Sequence, residues 1–533
     1  MSSSVASHAL GHLTARLVRR SSLIWAGALG LMSFAIAAGY EGAYPDGSDR
    51  SAVVDLGANP GFRALIGAGH QLDTAGGFTA WRYGGPAVVI AAVWGYLTTT
   101  RLLRGEEEAG RTELVRAGAV TALDVAAFAA AATFAGSLLM ALGSMFGMLI
   151  AGLALDGSIL TSLSVVSGAW VFASLGVVCS QLLPTRRAAA LTAGAMVVLA
   201  FLVRAIADAR AGAQWLRWAT PFGWSERVNA FDPSPTTTAL AVPIGVSVLL
   251  TMVGLLLARR RDLGASVIAD AVSRPPRARG LRSSPGLATR LAAPRLMGWA
   301  IPVLLLSFTM GSLAGDVGAF FESSTTFQDL MRNFGVDPSV PVRAFLGFQF
   351  TALAVVVVCY GVSEMAAARE EEASDRLDNL LVRAVGRREW LAGRIAVAVA
   401  GTTALSLLLG VATWVGTLVG GGGIGFGDLL GGGLNLIPIG TFFIGAGVLA
   451  FAVLPRATAG LGYGLVAAAF LIQLVGSAIK APQWMLNLSP FTHVAPVPAV
   501  GVGRVGAVVL LGLGTALSLV AVQRFRARDL HGA

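Results

Sequence analysis

Apolar residues fall in long blocks along most of the chain, separated by short stretches rich in arginine, glycine and proline. Crossing the hydrocarbon core of a bilayer as a helix takes roughly 20 apolar residues. The blocks predict spans at about 22–40, 83–100, 119–153, 158–183, 188–206 and 236–258. Six more are predicted at about 297–315, 343–366, 394–420, 429–454, 460–479 and 504–523. A polar connection, "RRRDLGASVIADAVSRPPRARGLRSSPG", separates the two sets, and its Arg, Pro, Gly and Ser content suits an exposed linker. Ahead of the first span, "SHALGHLTARLVRRSS" is basic and partly amphipathic. It predicts an interfacial elbow helix held on the cytoplasmic leaflet by Arg16, Arg19 and Arg20. The apolar run behind it is too long for a signal peptide.

The pattern repeats. "LTARLVRRSSLIW" at 13–25 returns as "LATRLAAPRLMGW" at 287–299, pairing Arg16 with Arg290 and Trp25 with Trp299. "RGEEEAGRTELVRAG" at 104–118 returns, with a small insertion, as "REEEASDRLDNLLVRAVG" at 369–386. "QWLRWATPFGW" at 214–224 returns as "QWMLNLSPFTH" at 483–493. Preserved order means a parallel repeat, which normally places a substrate path between the halves. The expectation is an all-α polytopic membrane protein of about twelve transmembrane helices in two parallel six-helix repeats, with interfacial elbow helices. Residues 1–258 form the first half, 259–284 a cytoplasmic linker and 285–533 the second elbow and second half.

Composition agrees. Hydrophobic residues make up 55% of the chain and charged residues 13%, against about 25% charged in soluble domains. Mean hydropathy is +0.72. The net charge of +10 suggests nucleic acid, but the arginines sit in short loops between apolar runs. That is the positive-inside pattern, so the arginine-bearing loops and both termini are expected in the cytoplasm. Cys179 and Cys359 lie inside apolar runs as small core residues. The five histidines show no metal-ligand spacing.

Two constellations stand out. In the cytoplasmic loop after the second span, Glu106, Glu107 and Glu108 precede Arg111 and Glu113; in the second half Glu370, Glu371 and Glu372 precede Arg376 and Asp378. A solvated helix face with Glu–Arg pairs is one reading; a surface that fixes the register of a docked partner is the other. On the predicted outer side, Trp215, Pro221 and Phe222 match Trp484, Pro490 and Phe491. Each proline should break a helix, each tryptophan should anchor at the interface, and each phenylalanine should pack into the bundle. The pair either anchors two hairpins or gates the exit of a central path.

The loop residues Glu107, Glu108, Gly110, Arg111, Glu113 and Leu114, with the Pro-Phe-Gly-Trp element at 221–224, resemble the membrane subunits of ATP-binding-cassette exporters. The match extends over almost the whole chain and points to the actinobacterial exporters of polyketide antibiotics, the tetronasin type. The second copy departs, with Ser374 where Gly is expected, an extra Asp375, and Thr492-His493 for Gly-Trp. The resemblance implies a bacterial plasma-membrane permease that expels hydrophobic or amphipathic compounds. It also implies ATPase subunits docked on the two loops, two per permease, carrying ATP and Mg; this chain is expected to hold no cofactor, metal or catalytic residue. A Walker A loop needs Gly-Lys-Ser/Thr; the single lysine, Lys480, is followed by alanine, and the glycine-rich run at 420–428 has none. The alternative is a proton-coupled secondary transporter, with Asp124, Asp208, Asp316 and Glu364 as candidate acids near span ends.

Overall fold

The structure is a computed structural model and describes residues 3–58, 63, 66–209, 211–268, 284–315, 340–382, 385–478 and 482–528. Among these residues, twelve helical segments are long and apolar enough to cross a membrane, six in each of two compact units, Met1–Arg274 and Pro275–Ala533. The chain is a multi-pass, all-helical membrane protein.

In the first unit α1 (Ser3–Ala43) is one uninterrupted helix, where a separate elbow was expected. Nothing between Arg16 and Trp25 breaks a helix, since the run holds neither Pro nor Gly, so the basic segment simply continues into the span. The second elbow is likewise the start of α9 (Ser284–Ser312), which keeps Pro294 and Pro302 inside it. The first unit continues through α2 (Ala75–Thr100), α3 (Arg111–Arg116), α4 (Ala122–Ile150), α5 (Leu155–Leu182), α6 (Arg186–Ala209), α7 (Pro221–Glu226) and α8 (Ala241–Arg260). The second continues through α10 (Pro341–Ala373), α11 (Arg376–Leu381), α12 (Arg387–Val419), α13 (Phe426–Leu434), α14 (Ile437–Val453), α15 (Thr458–Ala478) and α16 (Arg504–Ala527).

Between apolar helices in lipid, close backbone approach at small residues is the main source of packing energy. Both units use it at the same place. In α1 against α4, a Cβ on Gly143 would stand 2.2 Å from the Ala26 carbonyl oxygen, and one on Gly147 2.1 Å from that of Gly30. In α9 against α12, a Cβ on Gly416 would stand 2.2 Å from the Phe308 carbonyl oxygen, and one on Gly420 1.9 Å from that of Ser312. No side chain fits at these crossings without moving backbone.

The start of the linker is not free. Val267 and Ile268 donate their amides to the carbonyls of Gln181 and Leu182 at the end of α5, which lays residues 265–268 along the first unit.

Candidate functional site

The acidic loops are built from the end of the second span upward. In the first unit α2 runs on through a wider turn at Arg101–Gly105 into Glu106–Glu108, so the three carboxylates ride on the last turn of the span helix. The helix stops at Gly110, whose φ of 72° lies in the left-handed region that favours glycine. The short helix α3 follows, with Arg111, Glu113 and Leu114 exposed and Thr112 buried.

The three glutamates do different work. Glu107 is nearly buried, at 7% side-chain exposure, and is not part of a solvated face. Its Oε2 accepts from Arg261 Nη2 at 2.7 Å and its Oε1 from the Gly264 amide at 2.7 Å, while Arg104 lies 3.3 Å away one turn earlier. Arg104 in turn donates to the carbonyls of Ser180 and Ala265. Glu108 accepts from the Arg186 amide at the start of α6, where a carboxylate complements the helix dipole. Glu106 forms a two-bonded pair with Arg111.

The second unit rebuilds this arrangement one residue out of step with the letter match. Arg369 pairs with Glu372 as Arg104 pairs with Glu107, each three residues apart on the helix. Arg528, the first residue past α16, binds Glu372; Arg261, the first past α8, binds Glu107. Asp375 has φ 55° and occupies the left-handed position of Gly110. Asp375 is therefore no insertion. Glu372 answers to Glu107, Glu371 to Glu106 and Ser374 to Ala109. Glu371 is buried against Arg394 of α12. Glu370, Arg376 and Asp378 are exposed.

The Arg261 and Arg528 partners escaped the sequence reading, although a signal exists. The tripeptide Arg-Asp-Leu occurs at 261–263 and again at 528–530, directly behind the last span of each half.

The Pro-Phe elements lie at the opposite end of each unit's bundle. Neither proline breaks a helix. Pro221 opens α7 behind Thr220, whose hydroxyl accepts from the Gly223 amide, and Pro490 opens a 3₁₀ turn behind Ser489, whose hydroxyl accepts from the Phe491 amide. A proline in the first turn removes only a donor that has no helical partner anyway. Phe222 is buried between Phe172 and Phe201, at centroid distances of 5.6 and 6.3 Å. Phe491 is buried between Phe443 and Phe470, at 5.7 and 5.6 Å. Each trio belongs to its own unit. Trp215 and Trp484 stand outside them, 69% and 68% exposed.

Of the candidate acids, Asp124 is the partner of Thr121 in a capping box that starts α4. Glu364 is buried in α10 and takes both Arg295 Nε and Nη2 at 2.8 Å. Asp208 stands at the end of the fifth span, as expected, and is buried there, 2.5 Å from Arg217 Nε and 3.5 Å from Arg204, which also reaches Glu226 at 2.9 Å. Asp316 and Lys480 lie outside the described residues. The charged group of Arg204, Asp208, Arg217 and Glu226 was missed from sequence because its members are scattered over 23 positions with no motif spacing.

Comparison with known proteins places this architecture. The family profile described as "Multidrug efflux system permease Rv1217c, C-terminal domain" matches residues 7–259 and 281–526. The chain is 31% identical over 500 residues to the multidrug efflux system permease protein Rv1217c of Mycobacterium tuberculosis, covering 93% of this chain and 89% of that protein. With twelve span-length helices and near full-length similarity on both sides, the chain belongs to the family of Rv1217c-like multidrug efflux permeases.

Proposed function

We propose that this chain is the membrane subunit of an ATP-driven ABC exporter that expels hydrophobic or amphipathic compounds across the bacterial plasma membrane. ATP and Mg sit on separate ATPase subunits, two per chain, one docked on each short loop helix, α3 and α11. The loops and both termini face the cytoplasm. The narrower cargo class, polyketide antibiotics of the tetronasin type, follows from the sequence resemblance in the loop and Pro-Phe elements.

One observation carries this reading. Both units build the same device: a span helix that runs on into the acidic loop, a left-handed break, a short exposed helix, and a carboxylate tied to the arginine behind the last span. A push on α3 therefore reaches α2 through the chain and α8 through Glu107–Arg261 at once. The roles of the acids divide accordingly. Glu107, Glu371 and Glu372 hold the loop to its own unit, whereas Glu113, Leu114, Asp378 and Asn379 are exposed for a partner. The proton-coupled alternative finds Asp124 engaged as a helix cap and Glu364 bound by Arg295.

The test is co-purification of the chain with its ATPase. Glu113→Arg combined with Asp378→Arg is expected to abolish the complex while the permease still inserts and folds. Retention of the full complex by that variant rules out docking on α3 and α11.

A further inference from the structure

At the loop end of the first unit, a cleft of about 230 Å³ lies between the first turns of α1, the residues just past α2, α3 and the start of α4. Its walls are largely apolar, formed by Leu10, Leu13, Leu17, Leu102, Val115 and Val125. Leu10 clusters with Val120, Val125 and Phe128, and α4 bears no charge from Val125 to Ile150, so the apolar zone of the bundle reaches this cleft. Leu13 and Leu17 are 45% and 39% exposed. Their stripe continues along α1 as Ile24 and Leu31, also exposed, at the spacing that keeps side chains on one helix face. The outer surface of a spanning helix meets lipid chains, and this stripe leads from them into the cleft.

Charge decides which lipid. Arg20 stands in the same stripe, three residues past Leu17 and four before Ile24, and Arg16 lies one turn before it. Both are exposed and, among the described residues, pair with no carboxylate. Arg101, the first charged residue after the apolar run of α2, donates Nη2 to the Leu17 carbonyl at 3.0 Å. That bond brings a third guanidinium to this turn of α1. Gly105 lets a fourth close in, since a Cβ there would stand 3.1 Å from Arg186 Cδ and 3.6 Å from Arg101 Cγ. The carboxylates at hand are committed: Glu106 is bonded twice by Arg111, and Glu108 takes the Arg186 amide. Positive charge is thus in excess beside an apolar cleft, where the charge-free runs of α1 and α2 end. Basic pockets between spanning helices on the cytoplasmic side suit anionic head groups.

We propose that this cleft binds an anionic phospholipid of the inner leaflet, its phosphate held by Arg20 and Arg101 and one acyl chain lying along Leu13 and Leu17. The second unit has no equivalent. Three residues before Arg369 stands Ala366 where Arg101 precedes Arg104, and four past Arg290 stands Pro294 where Arg20 follows Arg16. The permease therefore carries one such site, in its first half. This rests on the proposed function only in naming the inner leaflet.

The test uses the full chain in a neutral detergent, without ATPase, titrated with phosphatidylglycerol or phosphatidylcholine of identical acyl chains, with bound lipid counted by native mass spectrometry. One tightly held phosphatidylglycerol per chain is expected, with phosphatidylcholine about tenfold weaker or more. Arg20→Gln combined with Arg101→Gln should weaken phosphatidylglycerol binding roughly thirtyfold, as the loss of two arginines beside an anionic lipid implies. Arg20→Lys combined with Arg101→Lys keeps the charge and should retain most of the affinity, which excludes a folding defect. Arg259→Gln combined with Arg260→Gln removes the same charge away from the cleft and should bind as the wild type does. Leu13→Trp, which obstructs the seat of the chain, should weaken binding severalfold. Equal affinity for the two lipids, or an equal loss in the Arg259/Arg260 and Arg20/Arg101 variants, overturns the proposal. Because no ATPase is present, a negative result leaves ATP-driven export standing, and failure of ATP-driven export leaves this binding result intact.

Discussion

Arg261 Nη2 lies 2.7 Å from Glu107 Oε2, joining the end of the sixth span to the loop after the second across 154 positions of sequence. The second unit joins Arg528 to Glu372 across 156. Both members of each pair are largely shielded from water. The pair thus fixes where the loop sits while leaving the outward face of the short helix free.

Removing one partner of a shielded ion pair strands the other and costs on the order of 3–5 kcal/mol. Glu107→Met should lower the unfolding midpoint in detergent in keeping with that, and Arg261→Met by less, because Glu107 keeps Arg104 and the Gly264 amide. The double variant should lose clearly less than their sum, because residues in direct contact couple. Strict additivity in a denaturant titration would show that the two side chains do not support each other.

Phe222 and Phe491 each complete a buried three-ring cluster inside one unit. Phe222→Ala or Phe491→Ala should destabilise by roughly 3–5 kcal/mol, while the fraction that remains folded transports at the normal rate. This is the outcome for an anchor. Normal stability with altered transport would instead make the phenylalanines a gate. Trp215 and Trp484, exposed on the neighbouring turns, should account for most of the fluorescence quenched by lipids brominated near the headgroup.

The spans were legible because about twenty apolar residues have one place to go, and the repeat was legible because span order survives divergence. Register was not. Three glutamates in a row match equally well when slid by one, and only the backbone break at Gly110 and Asp375 shows that Glu372 answers to Glu107. An aspartate in a glycine's place reads as an insertion until its φ is known. The partners of Glu107 and Glu372 lie so far along the chain that no local spacing points to them, apart from the recurring Arg-Asp-Leu. Glu226 was hidden for a related reason: it sits alone on a six-residue helix, and its significance comes from Arg204 and Asp208 on another element.

Glu226 also predicts a pH dependence. Its carboxyl lies above the ordinary value of 4.5, at about 8, chiefly through burial. The folded state then holds a proton that the unfolded chain has released. Its stabilising contribution is fully present below about pH 4.5 and is lost as pH rises through about 8. Unfolding midpoints from pH 5 to pH 9 should fall for the wild type relative to Glu226→Gln, since the two proteins share every other titrating group. Parallel profiles would mean that Glu226 does not carry this proton.

We propose that a separate ATPase drives this permease through two equivalent loops. Proteoliposomes containing the permease with its co-purified ATPase test it most directly, with a lipophilic fluorescent substrate and either ATP or an imposed proton gradient as the energy source. ATP-dependent substrate movement that disappears when the ATPase is omitted is expected, with no movement on the proton gradient alone. Transport by the permease alone on the proton gradient, indifferent to ATP and ATPase, would contradict it.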